Sequence, residues 1–271
     1  MANSKYEYVK NFERENHLLP SCYILIRVDG RGFHKFSAHY EFAKPNDAAA
    51  LQVMNQAAEQ MMRQFPDISV CYGDSDEYSF LLRRNCELFE RRESKLTSTF
   101  ASTFSALYQF YWREVIPEKP LTVERLPTFD ARCVVYPNAE IVRDYFRWRQ
   151  VDCHINNLYN TTFWYLVLHG GMTTKEAENR LIGTLASDKH EILFSQFQLN
   201  YNNEPEAYKK GTTICREYSV VDAIEGGMMK MELSERQKQR EEKKRKKAKV
   251  VVHHTDIIND KFWNERPWLL Q

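Results

Sequence analysis

The sequence predicts an α+β fold, in which an antiparallel sheet of ferredoxin-like type carries helices on one face and a mainly helical C-terminal extension follows. Three observations lead there. Strand-like stretches in the first half keep apolar residues to one parity; the elements run strand, helix, hairpin, helix, strand; and apolar spacing turns mostly helical after residue 138. The division is placed between 1–137 and 138–271, and the second sheet face is expected to stay open for a substrate.

CYILIRVDGRGF is the first strand: Ile24, Ile26 and Val28 share one parity, Arg27 and Asp29 the other. Gly30 and Gly32 let the chain turn with exposed amides. Residues 47–65 form a helix capped by Asn46 or Asp47, with a stripe of Leu51, Met54, Ala57, Ala58, Met61 and Phe65, stopped by Pro66. ISVCYGDSDEYSFLLR is a hairpin. A helix over about 87–113 is expected to bury Leu88, Phe89, Leu96, Phe100, Phe104, Leu107 and Tyr111 and carries Arg91, Arg92 and Lys95 in its first turns. FDARCVVYP is the next strand. The extension predicts helices over 139–149, 153–168, 174–186 and 188–196, and a strand near 212–220. Thr173 and Glu176 have capping-box spacing.

Composition narrows the function. No apolar run approaches the ~18 residues of a membrane span. The start, MANSKYEYVKNFE, lacks the apolar centre of a secretory leader, and six scattered cysteines without a C-x-x-C pair suit reduced thiols, so a cytoplasmic protein, also able to enter the nucleus, is expected. The net charge of +1 is uneven: residues 236–249 carry nine basic and two acidic residues, so the rest is near −6. That run, within a charged segment 234–250, reads as a solvated, poorly ordered loop, or as an RNA-binding or nuclear-address segment.

YGDSDEYSF places Asp74, Asp76 and Glu77 within four positions. Such a cluster is either a solvated hairpin tip or, paired with Asp29 on a neighbouring strand, a site for two divalent cations about 3.5–4 Å apart. Alternation alone leans to Glu77 over Asp76, because Asp76 shares its register with Tyr78 and Phe80, unless a bulge resets it. Amides around Gly30, Arg31, Gly32, Phe33 and His34 can cradle phosphate oxygens, or simply turn the chain. Lys44, Asn46 and Asp47 precede a helix N-terminus, a natural anion site, and Arg92 and Lys95 can reach the same phosphates or form a wet helix face. In DCHINNLYN, Ile155, Leu158, Thr162 and Leu166 can face the core while His154, Asn157 and Thr161 line another face, for a polar network or an RNA. LNYNNEPEAYKKGT offers Asn202 and Lys209 among tyrosines, a composition suited to unstacked bases.

With these blocks in order, RVDGRGFHKF, FAKPND, YGDSDEYSF, WRQVDCHINNLYNTTFW, DKHEILF and NYNNEPEAYKKGT, the chain resembles the eukaryotic tRNA(His) guanylyltransferase family over nearly its whole length. The resemblance implies a polymerase-like palm and a nucleotidyltransferase that adds a guanosine to the 5′ end of histidine tRNA. ATP activates the 5′-monophosphate, the GTP 3′-hydroxyl attacks, and pyrophosphate is removed. It further implies two Mg2+ per active site, selection of tRNA by its anticodon, and a homotetramer. Carried onto this sequence, Asp29, Asp76 and the Gly30 carbonyl hold metal, and Glu77 belongs to the acidic site. The 30–34 turn, Lys44, Asn46, Asp47, Ser75, Asp76, Arg92 and Lys95 hold nucleotide. His154, Asn157, Lys189, Asn202 and Lys209 meet tRNA, and Asp74 is assigned to the solvated tip. A template-dependent tRNA 5′-end repair polymerase and a non-catalytic tRNA-binding protein are the alternatives.

Overall fold

A computed structural model describes residues 4–218, 236, 240, 243–244 and 246–270. Its elements are β1 (Tyr23–Gly30), α1 (Phe33–His39), α2 (Ala48–Gln64), β2 (Ile68–Asp74), β3 (Glu77–Leu82), α3 (Glu93–Val115), β4 (Phe129–Tyr136), α4 (Ala139–Leu168), α5 (Thr174–Leu181), α6 (Ala186–Phe197), α7 (Glu206–Lys210), β5 (Thr212–Glu217), β6 (Lys249–His253) and α8 (Asp260–Glu265). The sheet order is β4-β1-β3-β2-β5-β6, with every pair antiparallel. The first four strands have the ferredoxin-like arrangement that the element order predicts. The extension adds the other two, so the sheet crosses the expected division at 137.

The parity read from the sequence sets the two faces. Ile24, Ile26, Val28, Tyr78 and Phe80 point to one core with α1, α2 and α3, where Phe100, Phe104, Tyr108 and Trp112 supply the facing surface. The opposite parity, Tyr23, Leu25, Val70, Tyr72 and Leu81, does not stay open. It packs under Val142, Tyr145 and Phe146 of α4 and under Ile257, Phe262, Trp263 and Trp268. The expectation of a free sheet face is therefore corrected: Tyr23, Leu25, Val70, Tyr72 and Leu81 make much of that face apolar, and the extension covers it. Only its acidic end is left to line a cavity.

Several boundaries differ for physical reasons. The helices expected over 139–149 and 153–168 are one 30-residue helix. Its polar middle looks like a break, but tertiary partners satisfy it. Gln150 Nε2 donates to the carbonyls of Lys210 and Thr255, and its Oε1 accepts from the Ile257 amide. Ile155 is exposed rather than in the core, whereas Leu158, Thr162 and Leu166 are buried. The helix expected from 87 begins at Glu93, because Phe89, Glu90 and Arg91 take left-handed backbone angles. That turn buries Arg91, whose guanidinium donates to the carbonyls of Leu18, Leu19, Cys22 and Cys86. The helix expected to reach 186 ends at Leu181. The short helix α1 and strand β6 were not anticipated. Most of the basic run 236–249 lies outside the described residues; near its end Lys246 pairs with Asp67 at 2.9 Å and Lys249 opens β6. No helix among the described residues is long and apolar enough to cross a membrane.

Candidate active site

One end of the sheet opens into a cavity of about 820 Å³ between α2, the β2–β3 hairpin and α4. The carboxylates arrive there by register. Asp29, one residue before the end of β1, sits opposite Glu77 on β3, and Glu77 sits opposite Asp74 on β2. Cα partners across antiparallel strands share a face, so Asp29, Glu77 and Asp74 project together. Asp76 lies in the turn itself, after Ser75, whose φ of 54° is left-handed. The turn is tied to β1 where the Gly30 amide donates to the Asp76 carbonyl at 3.0 Å. The alternation that disfavours Asp76 therefore does not govern it, since the tight turn precedes the first residue of β3.

The four carboxylates are not equivalent. Glu77 is flanked by guanidiniums, with Arg27 Nε at 3.6 Å and Arg149 Nε at 3.5 Å. Burial raises its pKa, and both arginines pull it back. Asp29 and Asp76 have no ion pair among the described residues; burial raises Asp76, and the nearby Asp29 charge raises it further. Two unneutralised carboxylates lining one cavity are the hard oxygen donors a divalent cation takes, and the Gly30 carbonyl follows Asp29 directly in the chain, so the residues fit the implied metal. Asp74 is not a solvated tip: it lines the cavity, and burial, partly offset by a Cys153 hydrogen bond and by Arg149, pushes its carboxyl up to about 6. A separate trio, Cys215, Glu217 and His253, also brings three ligand atoms within 4.8 Å of one another. Arg266 Nε already holds Glu217 there at 2.7 Å, so this cluster clamps the segment after α8 to β5.

Of the residues expected to hold nucleotide, Asp29, Phe33, His34, Lys44, Asn46, Asp47, Ser75 and Asp76 line the cavity. Phe33 and His34 open α1 after Gly32, whose φ of 65° favours glycine, so their amides lack intrahelical partners. The amides of Gly30 and Arg31 are instead committed to the Asp76 and Thr128 carbonyls. Lys44 Nζ lies over the Trp164 ring, 5.6 Å from its centroid. Asp47 caps α2, accepting from the amides of Ala50 and Ala43 at 2.9 Å each. Arg92 and Lys95 are not brought to this cavity. Tyr108 of α3 lines it, and sixteen residues of helix put Arg92 roughly 24 Å away along the axis. Arg92 pairs instead with Glu15 at 2.7 Å and Glu90 at 3.2 Å, and Lys95 lies over Phe89.

The residues expected to meet tRNA divide. His154 and Asn202 are exposed on the extension. Burial first, then His190 and Lys209, hold the His154 imidazole below its usual range, so it is a neutral ring at neutral pH rather than a phosphate-binding cation. Asn157 is buried, and both ends of its amide are bound within the chain, which corrects its assignment as an RNA contact. Lys189 donates to the Thr184 carbonyl, and Lys209 to the Asn202 carbonyl and to Glu206 at 2.7 Å. Sequence reasoning missed Arg149, Asn156, Asn160, Phe163 and Trp164, which line the cavity from α4. Their helical spacing is legible once α4 is known to be unbroken.

Comparison with known proteins agrees with this geometry. A profile described as tRNAHis guanylyltransferase matches residues 6–137, and the profile of that family's C-terminal domain matches 140–259. The chain is 64% identical over its full length to a Debaryomyces hansenii tRNA(His) guanylyltransferase, also matched in full, and 46% identical to a probable human one, of which 89% is covered. The crystal structure of the Saccharomyces cerevisiae tRNA(His) guanylyltransferase superimposes with a TM-score of 0.77 at 48% identity, over 82% of this chain and all of that one. A bacterial tRNA(His) guanylyltransferase-like protein in complex with ATP, 23% identical, shares the fold with a TM-score of 0.70 over 98% and 96% of the two chains. The profiles and the near-complete matches together establish that the chain belongs to the tRNA(His) guanylyltransferase family of nucleotidyltransferases.

Proposed function

We propose that the chain adds a guanosine to the 5′ end of histidine tRNA and that the acid-lined cavity is its active site. The observation that carries this is the unneutralised Asp29–Asp76 pair facing a cavity of nucleotide size, in a chain 64% identical to a tRNA(His) guanylyltransferase. Bacterial proteins of the same fold bind ATP in one structure and GTP in another, which supports both as substrates. ATP adenylylates the 5′-monophosphate with loss of pyrophosphate. The GTP 3′-hydroxyl then attacks that phosphorus, AMP leaves, and pyrophosphate is cut from the new triphosphate end.

Asp29, Asp76 and the Gly30 carbonyl would hold two Mg2+, which when bound supply Lewis-acid activation of the attacking hydroxyl and neutralise phosphate charge. The remaining chemistry is positioning. The Phe33 and His34 amides and Lys44 are placed to hold phosphate oxygens, and Trp164 offers a ring face to a base. Glu77 is already paired with two arginines, and its part is to orient them beside the acidic pair. His154, Lys189 and Asn202, none of which lines the cavity, form the proposed tRNA face on the extension, where the anticodon is read. Assembly as a tetramer has a ready surface in the exposed Ile141, Trp148, Val151 and Ile155 along α4.

The test incubates labelled GTP, ATP and Mg2+ with histidine tRNA and maps the added nucleotide. One guanosine at the 5′ end is expected, falling roughly a hundredfold or more in Asp29→Ala and Asp76→Ala while RNA binding persists. Unchanged addition in both variants, or strict preference for a 5′-truncated tRNA of another identity, would overturn the proposal.

A further inference from the structure

Asn157 is the one residue expected to contact tRNA that the structure buries, at 7% exposure. Both ends of its amide are bonded within the chain. Asn46 Nδ2 donates to its Oδ1 at 3.0 Å, and its own Nδ2 donates to the Tyr201 hydroxyl at 2.8 Å. With Asn46 as it stands, its contact selects this orientation of the amide, because turning it over would set two N–H donors against each other there; the Tyr201 hydroxyl, which donates as well as accepts, anchors whichever end faces it.

The two ends of this chain of bonds lie in different places. Asn46 lines the acid-lined cavity, just ahead of α2. Tyr201 belongs to a short helical turn of the extension and does not line that cavity; it lines a second groove that includes His190 and Asn202. Its ring is held edgewise between His154, at 5.9 Å between centroids, and His190, at 5.3 Å. Burial pushes the Tyr201 hydroxyl up to about 12, so it stays protonated at working pH and remains a neutral acceptor for Asn157. One buried side chain thus passes the position of a residue in the extension to a residue in the catalytic cavity.

We propose that Tyr201, acting through Asn157, is a positioning residue for Asn46 in the nucleotide cavity. The inference rests on the reading of that cavity as a nucleotide site. With its amide nitrogen held by Asn157, Asn46 keeps one rotamer and presents its Oδ1, an acceptor, as its free end. Without the Tyr201 hydroxyl, Asn157 Nδ2 is left buried and unpaired. The amide then turns to find an acceptor, and Asn46 loses its fixed partner. The cost appears as weaker nucleotide binding, not as lost chemistry.

The discriminating variant is Tyr201→Phe, which keeps the ring between the two histidines and removes only the hydroxyl. Expected outcomes are a three- to tenfold rise in KM for nucleotide with kcat within twofold, and a matching rise in nucleotide Kd measured by titration calorimetry without RNA. In an Asn46→Ala background the same substitution should change nucleotide Kd less than twofold, because the residue it positions is gone. Asn157→Asp retains the acceptor toward Asn46 and should bind nucleotide more tightly than Asn157→Leu. A purely structural role for Tyr201 predicts a lowered melting temperature and active fraction, with unchanged KM and additive costs in the double variant. That pattern, or a Tyr201→Phe Kd within twofold of wild type, would overturn this inference alone. Failure of the wild-type protein to bind nucleotide would overturn the nucleotide reading and this inference with it.

Discussion

Asp74→Asn tests the electrostatics of the cavity directly. The Asp74 carboxyl ends β2, half-buried, with Cys153 and Arg149 close by and Asp76 and Asp152 adding repulsion. Burial raises it from 3.8 to about 6. A carboxyl raised by folding binds more protons in the native than in the unfolded state between those two values, so stability falls as pH rises through that window. Above it, the folded protein carries a penalty of about 3 kcal/mol, from a shift of about 2 units at 1.36 kcal/mol each. Near pH 5 about half of that remains, and near pH 4 only about 0.6 kcal/mol, by the same linkage. Asparagine approximates the protonated acid in shape and charge. In urea unfolding with a chelator present, to keep cations from the neighbouring Asp76, the variant should gain up to about 3 kcal/mol near pH 7.5, and that gain should shrink to well under 1 near pH 4. A variant no more stable than wild type near pH 7.5, or a gain that does not vary with pH, would refute the reasoning.

Arg149→Met removes a guanidinium that touches both Glu77 and Asp152. The pair with Glu77 lies between the exposed and fully buried cases, so the expected loss is about 1–3 kcal/mol at pH 7. Arg149 lowers the raised Glu77 pKa, so its removal raises that pKa further, and the loss should shrink as pH falls through the Glu77 titration; calorimetric melting across pH checks this. Asp47→Ala deprives α2 of its cap and frees the Ala43 amide, and should lower urea stability by about 1–2 kcal/mol. Phe104→Ala, at a fully buried ring against Phe80 and Phe129, should cost about 3–5 kcal/mol without altering divalent-cation affinity in the variant that remains folded.

What could be read from the sequence depended on how local its cause was. The parity of Ile24, Ile26 and Val28, the Met54, Ala57, Ala58 and Met61 part of the α2 stripe with its Asp47 cap, and the Thr173–Glu176 capping box are all set within a few residues and appear as expected, whereas Leu51 of that stripe lines the cavity. The break placed near residue 150 is absent because partners 60 and 105 residues distant satisfy Gln150. The left-handed run at Phe89–Arg91 was hidden for the same reason: its counterpart is the set of carbonyls near Leu18 that Arg91 gathers. The two assignments most changed, Asp74 and Asn157, have the same origin. Polarity marked both as exposed or ligand-facing, while their environment comes from the packing of α4 across the sheet end.

That packing also explains why the acidic residues take different parts. A carboxylate cluster on an open hairpin would be hydrated and share its charge with solvent. Covered by α4, it is sorted by what each neighbour can supply. Glu77 meets two arginines, and Asp74 is desolvated beside a thiol. Asp29 and Asp76 lie close to each other with no ion pair among the described residues. Two neighbouring carboxylates repel each other, and a divalent ion bound between them offsets that repulsion. The carboxylates without a cationic partner among the described residues are thus the ones to which a cation contributes most, and the arginines are engaged by Glu77 instead.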